Sequence, residues 1–380
     1  SHQLTLSPRQ RIVSWRELSR RTAAGEAVAA MQTEFAYAGL DTCAGCGLCS
    51  TACPVGIDTG DLTRQLRGRQ LGAVSKRAGQ WAVDHFGAVT TLSRVGLGLG
   101  HLASDIIGTG LVQRLSGGAW RHAMPHPGRR PLPGAGAGAG DPVVYFPTCS
   151  GRIFGANSGD EATLPEVVMK LLTRAGYAPR LPRACDQLCC GQMLASKGLA
   201  NEADAMAQAL TDTLLEAADD GQGGHYPVLM DASSCTVRVQ QLLAGRLAVY
   251  DFHEFALDAL LPRLRVVRQP GPLALHVNCS VRRTQSDGKL RELLHACVDE
   301  VIEPAGVTCC GFGGDRGFVV PELNVHALRR VHAALPDNCC QGVSTNRSCE
   351  IGLTAETGRP YRSVAYLLEA CTREESPMHC

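Results

Sequence analysis

The run Cys43-Ala-Gly-Cys46-Gly-Leu-Cys49-Ser-Thr-Ala-Cys53-Pro54 constrains this chain more than any other stretch. Its C-x2-C-x2-C-x3-C-P spacing is that of a run that ligates iron–sulfur clusters. Four thiols on so short a loop cannot pair as unstrained disulfides with one another. Three of them can converge on one face of a cubane cluster while the fourth points elsewhere, and in proteins with two such clusters that fourth cysteine serves the other. A second copy is therefore expected, yet no other C-x2-C-x2-C occurs in the 380 residues. Either a partner supplies it or the chain lacks it. The run marks a chain that moves electrons.

Composition narrows the compartment and the partners. With 44% hydrophobic residues the chain has material for two or three packed domains. Lys+Arg (37) and Asp+Glu (36) nearly cancel, which removes any electrostatic case for nucleic acid or an anionic membrane as main partner. The start shows no charged region, apolar core and small-residue cleavage site in succession. The 18 cysteines, grouped in motifs inside a large α/β-like sequence, fit metal or redox work in a reducing compartment rather than a disulfide scaffold. The stretch from Ala88 through Val112 is apolar but interrupted by Arg94, His101 and Asp105, so it reads as two packed helices rather than a membrane span.

Organisation follows from periodicity. Residues 1–120 read as all-helical, with Pro8 at a first turn, Gly25 as a break, and Asp58 or Thr59 as an N-cap after the cysteine loop. The Pro/Gly/Ala stretch within 121–140 reads as a linker. Beyond it the pattern turns to βα alternation: strands at 143–146, 228–230 and 273–277, and a further strand before the last cysteine of the second half. Helices are expected at 164–174, 195–220, 237–243, 252–261, 289–298 and 325–334. FPTCS against HVNCS, CCGQM against CCGFG, and MDASSC against STNRSC mark an internal repeat, dividing the rest into units 141–270 and 271–375. The fold class expected is an α-helical ferredoxin-like segment followed by tandem-repeat α/β cysteine-rich units.

In each unit one cysteine follows a strand (Cys149, Cys279), a doublet lies in a loop (Cys189-Cys190, Cys309-Cys310), and a last cysteine follows another strand (Cys235, Cys349). Carboxyl ends of strands in an open α/β sheet share one crevice, so these residues are expected to meet around a metal centre, with Gly191 and Gly311 allowing the tight turn. Cys185 is a candidate fifth ligand in the first unit, and the doublet Cys339-Cys340 has no counterpart in the first. Cys297 and Cys371 fall on apolar helix faces and read as core, and Cys380 as incidental. Zinc suits four thiolates as well as iron–sulfur chemistry does. Asp315 and Arg316, in a glycine-rich stretch that reads as a turn placing the second doublet, read as a local ion pair or as groups that hydrogen-bond the cluster's ligands. His276 and Arg282, flanking Cys279, read as groups that could tune a cluster by hydrogen bonding or as satisfied side chains.

The motifs LTLSPRQRIV (4–13), DTCAGCGLCSTACPVGIDTGDL (41–62), CCGFGGDRGFVVPEL (309–323) and STNRSCEIGL (344–353), with the two Cys-Cys-Gly units, resemble the C-terminal half of FAD-linked iron–sulfur D-lactate dehydrogenases of the cytochrome-dependent type. The resemblance covers nearly the whole chain. The tandem units also resemble those of glycolate oxidase iron–sulfur subunits and heterodisulfide reductases. The resemblance implies 4Fe-4S clusters, with Cys43, Cys46 and Cys49 at three corners of one and Cys53 completing another. It also implies FAD on a preceding domain or a partner subunit, and a cytochrome or quinone as acceptor. By the same resemblance the chain begins just after the first ferredoxin run, is cytoplasmic or peripheral to the inner membrane face, and passes electrons from a flavin that oxidises a D-2-hydroxy acid. No position here receives the flavin ligands or the hydroxy-acid base, so no catalytic residue is assigned. Both units end in one cysteine where the family often has C-x-x-C, which departs from a full non-cubane ligand set. Two alternatives stay open: thiol–disulfide chemistry at the Cys-Cys-Gly units, as in heterodisulfide reductases, and a zinc-stabilised module that docks a flavin subunit.

Overall fold

In a computed structural model, which describes residues 4–121, 123–129, 132, 140–157 and 160–373, the described part of the first 120 residues is helical. Ser7 caps the helix Pro8–Ala23 in a reciprocal capping box with Gln10, and Pro8 occupies the turn where its missing N–H costs nothing. Helix Ala29–Phe35 runs into a wider turn, Ala36–Asp41, that delivers the chain to the cysteine loop. Leu18, Phe35, Leu40 and Leu66 form a small core under it. Asp58 caps the helix Thr59–Gln70 that follows. The apolar stretch forms two helices, Phe86–Ile107 and Thr109–Leu115, and no helix among the described residues is long and apolar enough to cross a membrane.

Residues 122, 130, 131 and 133–139 of the expected linker, and Cys380, lie outside the described residues. The part of the linker up to Gly128 is tied down: Gly128 donates to the Ile153 carbonyl at 2.8 Å and Gly155 to that of His126 at 2.6 Å.

Two four-stranded, all-parallel sheets follow, built from β1 (Asp141–Phe146), β2 (Tyr177–Arg180), β3 (Val228–Met230), β4 (Val249–Asp251), β5 (Gln269–Leu275), β6 (Val298–Ile302), β7 (Gly342–Ser344) and β8 (Tyr361–Ser363). Their orders, β2-β1-β3-β4 and β6-β5-β7-β8, are the same path traced twice. Val143 to Phe146 are buried on both faces, as a central parallel strand requires. Alternate side chains enter different cores. Val143 and Tyr145 pack with Val167, Val168 and Leu171 of helix Leu164–Arg174, whereas Val144 and Phe146 pack with Leu210 and Leu214 of helix Ala200–Ala218. The first of these cores is shared by both units: Leu275, Leu290, Leu293 and Leu368 of the second unit join it, each worth about 1.5–3 kcal/mol in burial.

The helix expected over 195–220 is two, Gln192–Lys197 and Ala200–Ala218, parted at Gly198, where the backbone of Gly68 approaches too closely for any side chain. Likewise 325–334 covers the end of a helix Pro321–Leu328, which Pro321 opens, and a separate turn of helix, Val331–Ala334, parted at Arg329 and Arg330. The local ion pair expected between Asp315 and Arg316 does not form. Asp315 pairs with Lys197 of the first unit, and Arg316 with Asp41 at 3.4 Å, since the loop lies between two neighbours carrying the opposite charges.

Candidate metal and thiol centre

Each sheet starts at its centre, steps to one side, then crosses to the other, so the carboxyl ends of β1 and β3, and of β5 and β7, flank a crevice. The cysteines of each unit meet there. In the first unit Cys149 opens the short helix Cys149–Ile153 after β1, and Cys235 lies in helix Ser233–Leu242 after β3. The sulfurs of Cys149 and Cys189 are 3.8 Å apart, and Cys190 contacts both Cys189 and Cys235. In the second unit the sulfurs of Cys310 and Cys349 are 3.0 Å apart, and Cys309 contacts Cys279 and Cys310.

The doublets turn in the same way. Gly191 and Gly311 have φ of +74° and +72°, and a Cβ on them would collide with the Ala203 carbonyl and the Leu323 carbonyl respectively. Only glycine fits this turn and its close approach to the next helix. The same two residues donate their N–H groups to the Cys189 and Cys309 sulfurs at 3.4 and 3.3 Å. Contact with Cys189, then burial, pushes the Cys149 thiol well above its ordinary value. Contacts with Cys309 and Cys349 pull Cys310 well below, while contact with Cys310 and then burial hold Cys349 up.

The thiols of the amino-terminal run find different partners. Cys43 is buried, and Arg67 donates to its carbonyl at 2.7 Å and to that of Leu40 at 2.6 Å. Cys46 reaches the second unit, where the Cys309 thiol draws it down to about 7. The Cys49 sulfur lies 3.3 Å from the Thr59 N–H at the start of helix Thr59–Gln70. Cys53 faces the backbone N–H groups of Ile57 and Val55, which lower it.

Cys185 is buried in the cluster of Val144, Phe146 and Leu188 that also holds Cys190 and Cys235, and burial raises it to about 11. Cys297 and Cys371 are fully buried core residues, and Cys339 is buried with Val331 and Leu335. His276 Nδ1 lies 3.1 Å from the Ser344 hydroxyl, and Arg282 donates to Glu303 at 2.7 Å and to the Val277 carbonyl at 3.2 Å.

Sequence reasoning missed the groups that hold these turns. Arg152, fully buried, donates to the carbonyls of Cys185 and Leu188 and so presents the first doublet. Asp231 accepts from the Thr148 N–H at 2.9 Å and the Tyr145 hydroxyl at 2.7 Å, joining β1 to β3 above the crevice. In the second unit Asn324 donates to the Cys310 carbonyl at 2.7 Å. One signal was available: an arginine stands three residues after the first cysteine of both repeats, at Arg152 and Arg282.

The donor set is one of soft thiols, buried or half-buried and supplied with N–H groups aimed at sulfur, which suits iron–sulfur ligation. No three or more His, Cys, Asp or Glu among the described residues stand ready around a single ion. The touching thiols would have to part to admit a group of several atoms.

No curated protein matches the chain. The family model of the cysteine-rich domain CCG matches residues 143–240 and 273–354, each span running from the unit's first central strand past its last cysteine. Such domains point to a cysteine-based redox or iron–sulfur role. The chain thus carries two tandem copies of the CCG cysteine-rich domain.

Proposed function

We propose that this chain is an iron–sulfur electron-transfer module serving a flavin-dependent D-2-hydroxy-acid dehydrogenase, with the flavin on another domain or subunit and a cytochrome or quinone as acceptor. The observation that carries the electron-transfer part is the gathering of two four-thiol groups at matching strand ends, beside a cysteine run of cluster-binding spacing. The substrate and the flavin rest on the resemblance of the motifs alone. Bound clusters would accept and release single electrons. Cys43, Cys46, Cys49 and Cys53 would serve the ferredoxin-like segment; Cys149, Cys189, Cys190 and Cys235, and Cys279, Cys309, Cys310 and Cys349, would serve the two units. The protein's own part is to bury these sulfurs, aim N–H groups at them and exclude water, which sets potentials.

Anaerobic reconstitution with iron and sulfide, followed by iron counting and EPR, tests this. Bound iron with a reducible cluster signal is expected; a colourless, EPR-silent protein under those conditions refutes it, and zinc without iron turns the reading to a zinc-held docking module. The 3.0 Å contact between Cys310 and Cys349 favours a second reading, thiol–disulfide catalysis. Under it, Cys310→Ser abolishes disulfide reduction while cluster content stays unchanged.

A further inference from the structure

The amino-terminal cysteine loop and the second CCG unit meet sulfur to sulfur. Cys46 and Cys309, remote in sequence, are neighbouring thiols, and both are half-buried. Two close backbone approaches and two polar contacts surround the pair. A Cβ on Gly313 would stand 2.6 Å from the Ala44 carbonyl, and one on Gly47 would stand 2.8 Å from the Arg283 side chain. Arg316 pairs with Asp41 at 3.4 Å, and the Tyr37 hydroxyl donates to Glu322 at 2.6 Å. The first unit meets the amino-terminal segment differently: Cys149 and Cys189 pack with Phe86, Val83 and Val89.

We propose that Cys46 and Cys309 form the junction at which electrons pass between the amino-terminal loop and the second CCG unit, making that unit the loop's direct exchange partner. This rests on the iron–sulfur reading above. The step moves one electron: the centre on one side is oxidised as the centre on the other is reduced, and no covalent bond is made or broken.

Two measurements on the intact protein test it. In the metal-free protein, the azo oxidant diamide takes two electrons and two protons from a thiol pair and becomes the hydrazine, leaving a disulfide. A cross-linked peptide joining the amino-terminal loop to Cys309, absent in Cys46→Ser, is expected. Its absence while Cys310 and Cys349 cross-link overturns the proposal without touching the iron reading. In the reconstituted, reduced protein, EPR is expected to show signals split by two interacting spins. Gly313→Leu, which forces Ala44 away, is expected to remove the splitting at unchanged iron and sulfide content. Unsplit signals in the unaltered, iron-loaded protein overturn the junction alone. Failure to bind iron overturns both readings, even if the cross-link forms.

Discussion

The two CCG units follow one path through space but face different neighbours. At the first, the amino-terminal segment presents an aromatic ring, Phe86, to Cys149 and Cys189. At the second it presents a thiol, Cys46, to Cys309. A repeated scaffold thus sets where the sulfurs gather, and the segment outside the repeat sets which group has a sulfur neighbour. The equivalence of the scaffolds is breakable at the doublet turns. Gly191→Ala and Gly311→Ala each place a Cβ against a helix carbonyl at a left-handed backbone position, and each is expected to cost about 3 kcal/mol or more. Urea denaturation measures both; one substitution tolerated beside one that unfolds the protein would show that the turns are not equivalent.

The arginines after the first cysteines should separate the units. Arg152→Met strands the buried carbonyls of Cys185 and Leu188, with an expected loss of about 3 kcal/mol. Arg282 instead pairs with Glu303, the two side chains being 25% and 29% exposed, and donates to the Val277 carbonyl at 3.2 Å rather than to the doublet, so Arg282→Met is expected to cost about 1–2 kcal/mol. Equal losses in the same denaturation assay would mean that Arg282 holds the second doublet as Arg152 holds the first.

What the sequence disclosed follows from where each element lies. The strands legible in it, β1, β3, β5 and β7, are the central ones, whose apolar runs are demanded by burial on both faces. β2, β4, β6 and β8 escape such a reading. All four are edge strands, and Tyr177-Ala-Pro-Arg180 and Tyr361-Arg-Ser363 carry too few apolar residues to announce a strand. The gathering of each unit's four cysteines was legible from the repeat and the strand-end rule. The Cys46–Cys309 contact was not, because no local pattern says which unit a helical segment will pack against. Arg152 and Asp231 were hidden for a related reason: their work is done through backbone carbonyls and N–H groups, which leave no mark in residue spacing.

The smallest expected effect tests the seam between the units. His253, in the short helix Phe252–Phe255 after β4, holds the Asp251 carboxylate at 2.9 Å with Nδ1 and meets the Ser286 hydroxyl of the second unit at 3.0 Å with Nε2. Burial opposes its protonation, but the charges of Asp251 and Glu254 and the hydrogen bond to Asp251 outweigh that and raise its pKa. A group whose folded value exceeds its unfolded value of about 6.5 binds its proton more tightly in the native state. Its contribution is therefore complete below that unfolded value and is lost as the pH rises through the folded one. Stability measured by urea midpoint should decline across that window, and His253→Gln should flatten the decline while lowering stability on the acid side. An unchanged pH profile in the variant would place the pH dependence elsewhere and leave the seam to the shared apolar core.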